Sequence, residues 1–183
     1  MVNGNNSGTR RSTLLLLPFI LTAVIIISDQ AVKFYIASTW PEGPVLDVFG
    51  NDFLWILHVR NKAIAFSIGE GLPDMVKKIL FIILPVAALA LILRFYFKTN
   101  DFTLFQRWAI AGVIGGGMGN LIDRMFRPAG VVDFISVKLY GFLGFERWPT
   151  FNIADAAVVV CVFLFIFALF FTPGGAASAK ERR

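Results

Sequence analysis

A single cysteine and a single histidine stand among 183 residues, and only 16% of the chain is charged. Each scarcity removes a class of chemistry. One cysteine, Cys161, permits no intrachain disulfide and no thiolate metal cluster, and its place deep in an apolar run makes it a packing residue. One histidine, His58, lies in LWILHVR, whose alternating side chains suggest a strand, and no partner supplies the Ser-His or Cys-His pairing of nucleophilic catalysis. It reads as a surface or internally bonded residue. Neither a metal nor a cofactor is expected.

What is plentiful is apolar surface: 57% of residues are hydrophobic and the mean hydropathy is +0.72. A soluble domain of this length has too little interior to hide that surface. Four stretches match the roughly 20 helical residues that cross a hydrocarbon core of about 30 Å: 13–37, 75–97, 104–123 and 153–171. The expected fold is therefore a single α-helical membrane domain with four transmembrane helices. Arg10 and Arg11 ahead of the first apolar block resemble the start of a cleaved signal peptide. That block runs into SDQAVKFYIA without a small-x-small cleavage site, so it reads as a retained helix.

The net charge of +5 is not gathered on one soluble face, which argues against a nucleic-acid partner. Four helices put both termini on one side together with the turn near residues 94–107. These short segments hold Arg10, Arg11, Arg94, Lys98, Arg107, Lys180, Arg182 and Arg183, so that side is expected to be cytoplasmic. Residues 38–74 and 124–152 then lie outside. In the first of these, VLDVF, FLWILHV and AIAFSI read as short strands split by GND, a small sheet on the extracytoplasmic membrane face. Trp40, Phe49, Phe53, Trp55 and Phe66 suit a surface half sunk into the interface.

In the third helix Ala111, Gly115, Gly119 and Asp123 recur every four residues and share one face, a stripe that admits a close neighbour. The fourth helix begins FNIAD and runs antiparallel to the third, which brings Asp123 and Asp155 to one level. Asn120 and Asn152 precede them by three residues each and are placed to hold the carboxylates. Helix ends often carry lone acids for solvation or for the dipole, but two NxxD motifs at one level suit a carboxyl pair sharing a proton. Such a pair can activate water and polarise an amide carbonyl.

The segments DQAVK at 29–33, NKAIAFS at 61–67, GGGMGNLIDR at 115–124, VVDF at 131–134 and FNIAD at 151–155 resemble lipoprotein signal peptidase (signal peptidase II), a family of bacterial inner-membrane aspartyl proteases. The resemblance covers most of the chain. It implies removal of signal peptides from diacylglyceryl-modified prolipoproteins by cleavage before the lipidated cysteine, in contact with membrane lipid and by a monomer. It assigns catalysis to Asp123 and Asp155, site support to Asn61, Asn120, Arg124, Asp133 and Asn152, and the outer end of the first helix to Asp29 and Lys33. Two departures stand out. Ala63 and Ile64 replace a glycine and an alanine of the usual loop, and residues 136–148 are long, which suggests an extra outer flap. The alternatives are a small proton or ion transporter using Asp123 and Asp155, with Asp29 and Lys33 as gate, and a non-catalytic membrane adaptor. Acids at one face only, and no repeat of one half by the other, weigh against the transporter.

Overall fold

The computed structural model describes residues 14–43, 45–61 and 71–171. Its elements run α1 (Phe19–Thr39), β1 (Val45–Asp47), β2 (Leu54–Asn61), α2 (Asp74–Lys98), α3 (Leu104–Phe126), β3 (Val131–Val137) and α4 (Ile153–Phe171). A helical turn from Leu14 precedes α1. The expected strand AIAFSI and the substituted positions Ala63 and Ile64 fall outside the described residues.

Three helical segments, Leu14–Thr39, Asp74–Lys98 and Ile153–Phe171, are long and apolar enough to cross a membrane. Their outward faces carry large exposed side chains such as Ile27, Phe34, Leu91, Phe163 and Phe170, the surface expected against lipid tails. α3 is as long but differently built. It buries one flank after another against α1, α4 and α2, so it is solvated by protein and needs small residues rather than bulky apolar ones. The chain is a multi-pass helical membrane protein with a small sheet at one end of the bundle.

The small residues of α3 form two seams. A Cβ at Gly115 would press on Thr22 and Ile25 of α1, and one at Gly119 on the Asp29 carboxylate and Ala154. One at Gly112 would strike Cys161, and one at Gly116 the Ala154 carbonyl and Val158. Along the first seam residue numbers rise together, so α1 and α3 are parallel; along the second they run oppositely, so α3 and α4 are antiparallel. Thr22 Oγ1 donates to the Ala111 carbonyl at 2.6 Å, a side-chain bond across the first seam. α2 contains a π-helical turn, Ile79–Ile83, that ends just before Pro85. The wider turn accommodates a proline ring that would otherwise press on the carbonyl four residues earlier.

At the end away from the sheet, Arg107 is buried and caps α2. Its guanidinium donates to the carbonyls of Tyr96 and Thr99, both at 2.8 Å, and lies 5.2 Å from the Tyr96 ring centre. The Tyr96 hydroxyl in turn donates to Leu15 O at 2.6 Å. A residue expected to act as a surface charge thus ties three helices together.

The sheet is antiparallel in the order β1-β2-β3. β3 was expected to be loop, yet Val131, Val132, Asp133 and Phe134 are all buried, because its other edge is covered by Phe151. The Phe151 N–H donates to Ile135 O at 2.9 Å and its carbonyl accepts from Ile135 N at 2.8 Å, which pins the entry to α4 beside β3. Ile36, Val132 and Phe134 fill the layer between α1 and the sheet, with Trp40 and Ile56 against them. His58 is buried, its Nδ1 2.8 Å from the Trp40 carbonyl. The long segment after β3 is a hairpin closed by the Lys138 and Arg147 bridge. Arg147 stacks 3.6 Å over Trp55 and donates to Ser136 and to Asp52 O, so the hairpin is clamped to the far end of the sheet.

Replacing Arg107 with Gln removes two charge-assisted bonds and should lower stability by roughly 2 kcal/mol or more. Thermal unfolding in detergent checks this, and an unchanged midpoint would show that the three-helix tie does not contribute.

Candidate active site

Among the described residues, every buried charged side chain except Arg107 lies where the sheet-side ends of α1, α3 and α4 meet under β3. Lys33, Asp29 and Asp123 are wholly buried. Lys33 Nζ forms ion pairs with Asp29 Oδ2 at 2.7 Å and Asp123 Oδ2 at 2.8 Å and donates to Asn120 Oδ1 at 2.9 Å. The other Asp123 oxygen lies 3.0 Å from Arg127 Nε and accepts from Gln30 at 3.1 Å. Asp29 Oδ1 accepts from the Ala154 N–H at 2.9 Å, satisfying a free donor in the first turn of α4. Two carboxylates and two cations therefore balance, and the cluster locks α1, α3 and the start of α4.

A second group adjoins the first. Asn152 sits just before α4, and its Oδ1 accepts from the Asp155 N–H at 2.9 Å while the Asn152 N–H donates back to Asp155 Oδ2 at 3.2 Å. This reciprocal pair is a capping box, and it fixes the Asp155 rotamer at the positive end of the helix dipole. The Asn152 side-chain amide donates to Asp133 Oδ1 at 2.7 Å and to Asn120 Oδ1 at 3.0 Å. Asn61, on the neighbouring strand, donates to Asp133 Oδ2 at 3.0 Å. Asn120 Nδ2 donates to Asp155 Oδ1 at 2.6 Å and so joins the two groups. Arg124, half-buried, feels the charges of Asp155, Asp133 and Asp123.

Asp133 lies in β3 at 2% exposure, and its carboxyl is pushed up to about 6. Burial is the chief cause and the nearby Asp155 charge adds to it, against the hydrogen bonds from Asn61 and Asn152 and the Lys33 charge. Ionising it there costs about 3 kcal/mol more than in water. A cavity of about 300 Å³ is lined in part by Asn61, which bonds Asp133, and by Arg124, Arg127, Lys77, Phe81 and Val131.

The family described as signal peptidase (SPase) II matches residues 21–171. The lipoprotein signal peptidase of Treponema denticola is 47% identical over 79% of this chain and 83% of the relative. That of Treponema pallidum is 44% identical over 82% and 81%, and that of Borreliella burgdorferi 40% over 84% and 89%. Two solved structures described as a bacterial membrane enzyme, at 2.3 Å and 1.9 Å by the in meso method, each superpose with a TM-score of 0.72. They share 32% and 31% identity, over 84% and 85% of this chain and 87% and 94% of theirs. The chain belongs to the signal peptidase II family.

In this family member all nine residues singled out in the sequence fall in the two adjoining groups, but not with the expected pairing. α3 continues past Asp123 to Phe126, so Asp123 lies a turn inside the helix, and both its oxygens are engaged by Lys33 and Arg127. It reaches Asp155 through Lys33 and Asn120, whereas the Asp155 charge acts on Asp133. Asn152 does not steady Asp155 from one helical face; it caps the helix and spends its amide on Asp133 and Asn120. Sequence reasoning missed Gln30 and Arg127, although Arg127 follows Asp123 at i+4, the spacing of a helical ion pair.

Replacing Lys33 with Met strands two buried carboxylates and should cost roughly 3–5 kcal/mol. Combining it with Asp29→Asn restores the charge balance and should recover most of that loss. Unfolding midpoints of the single and double variants check the coupling, and additive losses would refute it.

Proposed function

We propose that this protein is an aspartic endopeptidase that removes signal peptides from diacylglyceryl-modified prolipoproteins, cutting before the lipidated cysteine, with Asp133 and Asp155 as the working pair. The observation that carries the reading is a carboxyl buried in a strand and joined through Asn152 to a second, capped carboxylate at the start of α4. Two such groups share a proton, and one takes a proton from water while the other hydrogen-bonds the scissile carbonyl. Asn61, Asn152 and Asn120 fix the carboxylates, and Arg124 supplies positive charge beside the cavity where negative charge develops. In this reading Asp123, Asp29 and Lys33 are positioning residues. A lipidated substrate arrives laterally between lipid-facing helices, which places its peptide bond at the level of the pair.

The transporter alternative needs polar groups along a path. Between Arg107 and Asn120, α3 buries only Ala109, Ile110, Ala111, Gly112, Ile114, Gly115, Gly116 and Gly119, so the central helix offers no ionisable relay there.

Replacing Asp133 or Asp155 with Asn should lower cleavage of a diacylglyceryl prolipoprotein by at least roughly 1,000-fold in detergent while the protein remains folded. Appreciable turnover in either folded variant would sink the assignment.

We also infer that the protein lies in the bacterial inner membrane with both termini cytoplasmic and with residues 38–74 and 124–152 outside, on the strength of the basic clusters. A cysteine placed at Asn51 should react with an impermeant thiol reagent on intact cells, and one at Asp101 should resist it. The opposite pattern would overturn the orientation.

A further inference from the structure

We propose that the cavity between the sheet-side ends of α2 and α3 holds the phosphate of an anionic phospholipid, which has to leave before a lipidated substrate enters. The second clause rests on the reading of the adjoining acids as a peptidase site; the first does not.

Four cations line this space of about 300 Å³, Lys77 and Lys78 from the start of α2 and Arg124 and Arg127 from the end of α3, against one acid, Asp74. Like charges gathered in this way repel one another and favour an anion. Arg127 is answered in part: its Nε lies 3.0 Å from Asp123 Oδ1 and its Nη2 donates to Gln30 Oε1 at 3.3 Å, which leaves the other donors of a five-donor fork for a further acceptor. Arg124 is less satisfied. Half-buried, it makes no hydrogen bond or ion pair among the described residues, and the acids whose charge it feels, Asp155, Asp133 and Asp123, are not among the residues lining the cavity. Two planar guanidiniums beside two ammoniums suit the several acceptor oxygens of a phosphate.

The surroundings of the cations say that this phosphate is carried by a lipid. Met75 and Ile79 beside the lysines, and Met125 and Phe126 between the arginines in sequence, are exposed apolar side chains, Met75 at 73% and Phe126 at 72%. Ile83 on α2 and Met118 on α3 continue that surface along the two helices. Asp74–Lys98 is apolar enough to cross a membrane, so Lys77 and Lys78 stand where its hydrocarbon-facing surface begins, at the depth of lipid head groups. A basic pocket between transmembrane helices at that depth is the setting in which anionic head groups are held. A soluble anion gains nothing from the apolar rim, whereas the chains of a phospholipid cover it. Asn61 and Arg124 belong both to this cavity and to the group around Asp133 and Asp155, so lipid and substrate exclude one another.

The test titrates the full chain, in a neutral detergent at fixed ionic strength, with phosphatidylglycerol and with phosphatidylcholine of the same acyl chains, and counts bound lipid by native mass spectrometry. One phosphatidylglycerol should bind at least roughly 10-fold more tightly than phosphatidylcholine. Replacing both lysines, Lys77→Gln with Lys78→Gln, should weaken it by roughly 30-fold, whereas Lys77→Arg with Lys78→Arg should retain it and Lys138→Gln, a cation of the outer hairpin, should leave it unchanged. Unfolding midpoints confirm that the variants compared are folded. Equal binding of the two lipids, or undiminished phosphatidylglycerol binding in the folded Gln pair, would overturn the site. Displacement of the lipid by glycerol phosphate at equal concentration would show a soluble-anion site and overturn the lipid. In cleavage assays phosphatidylglycerol should raise the KM for a diacylglyceryl prolipoprotein and leave kcat unmoved; an unmoved KM beside tight binding would overturn the exclusion. If the protein cleaves no prolipoprotein at all, the peptidase reading fails while the binding measurements still decide the site.

Discussion

The ammonium of Lys33 is the interaction on which the rest of the site depends. A lysine held away from water is unfavourable unless each proton finds an acceptor and each neighbouring anion is balanced. Here Asp29 and Asp123, from α1 and α3, balance the charge, Asn120 accepts a proton, and Asp29 reaches across to the first turn of α4. Three helices that lipid alone would not align are fixed against one another at the level where the sheet begins.

That cluster forms only because the backbones come close. With lipid tails as apolar as leucine, helices gain little by hiding apolar faces from the bilayer, and association relies on tight packing and polar contacts. The glycines of α3 provide the approach: Gly119 leaves room for the Asp29 carboxylate, and Gly116 admits the first turn of α4. The same closeness excludes water, which strengthens the ion cluster and raises the Asp133 carboxyl. Packing and electrostatics are one arrangement here.

The helices were legible in the sequence because long apolar runs have few other meanings, and the recurrence of Ala111, Gly115 and Gly119 announced the seam toward α1. The third strand was not. Val131 to Val137 is largely buried, so it lacks the alternation that marks a half-exposed strand, and its pairs with β2 run from Asn61 with Val131 to Leu54 with Val137, far apart in sequence. With β3 read as loop, Asp133 had no fixed place, while Asp123 on a helix could be placed against Asp155 by topology alone. Helix geometry thus favoured the acid whose position could be argued over the acid whose environment suits the chemistry. The ion partners were hidden for a related reason: which acid a lysine meets depends on helix rotation, and spacing alone does not turn Lys33 away from lipid. Residues 136–148 stand out in the sequence as a separate segment, but a clamp made by Arg147 over Trp55 is a tertiary fact with no local signature.

The account turns on Asp123 serving position while Asp133 serves chemistry. The most direct measurement is the cleavage rate of a diacylglyceryl prolipoprotein by Asp123→Asn and by Asp133→Asn, each normalised to folded protein. Asp123→Asn keeps Arg127 and Gln30 beside an amide oxygen, so it should retain measurable turnover, reduced by roughly 10- to 100-fold through misplacement; Asp133→Asn should fall to background. A folded Asp123→Asn with no turnover beside an Asp133→Asn that still cleaves would contradict it.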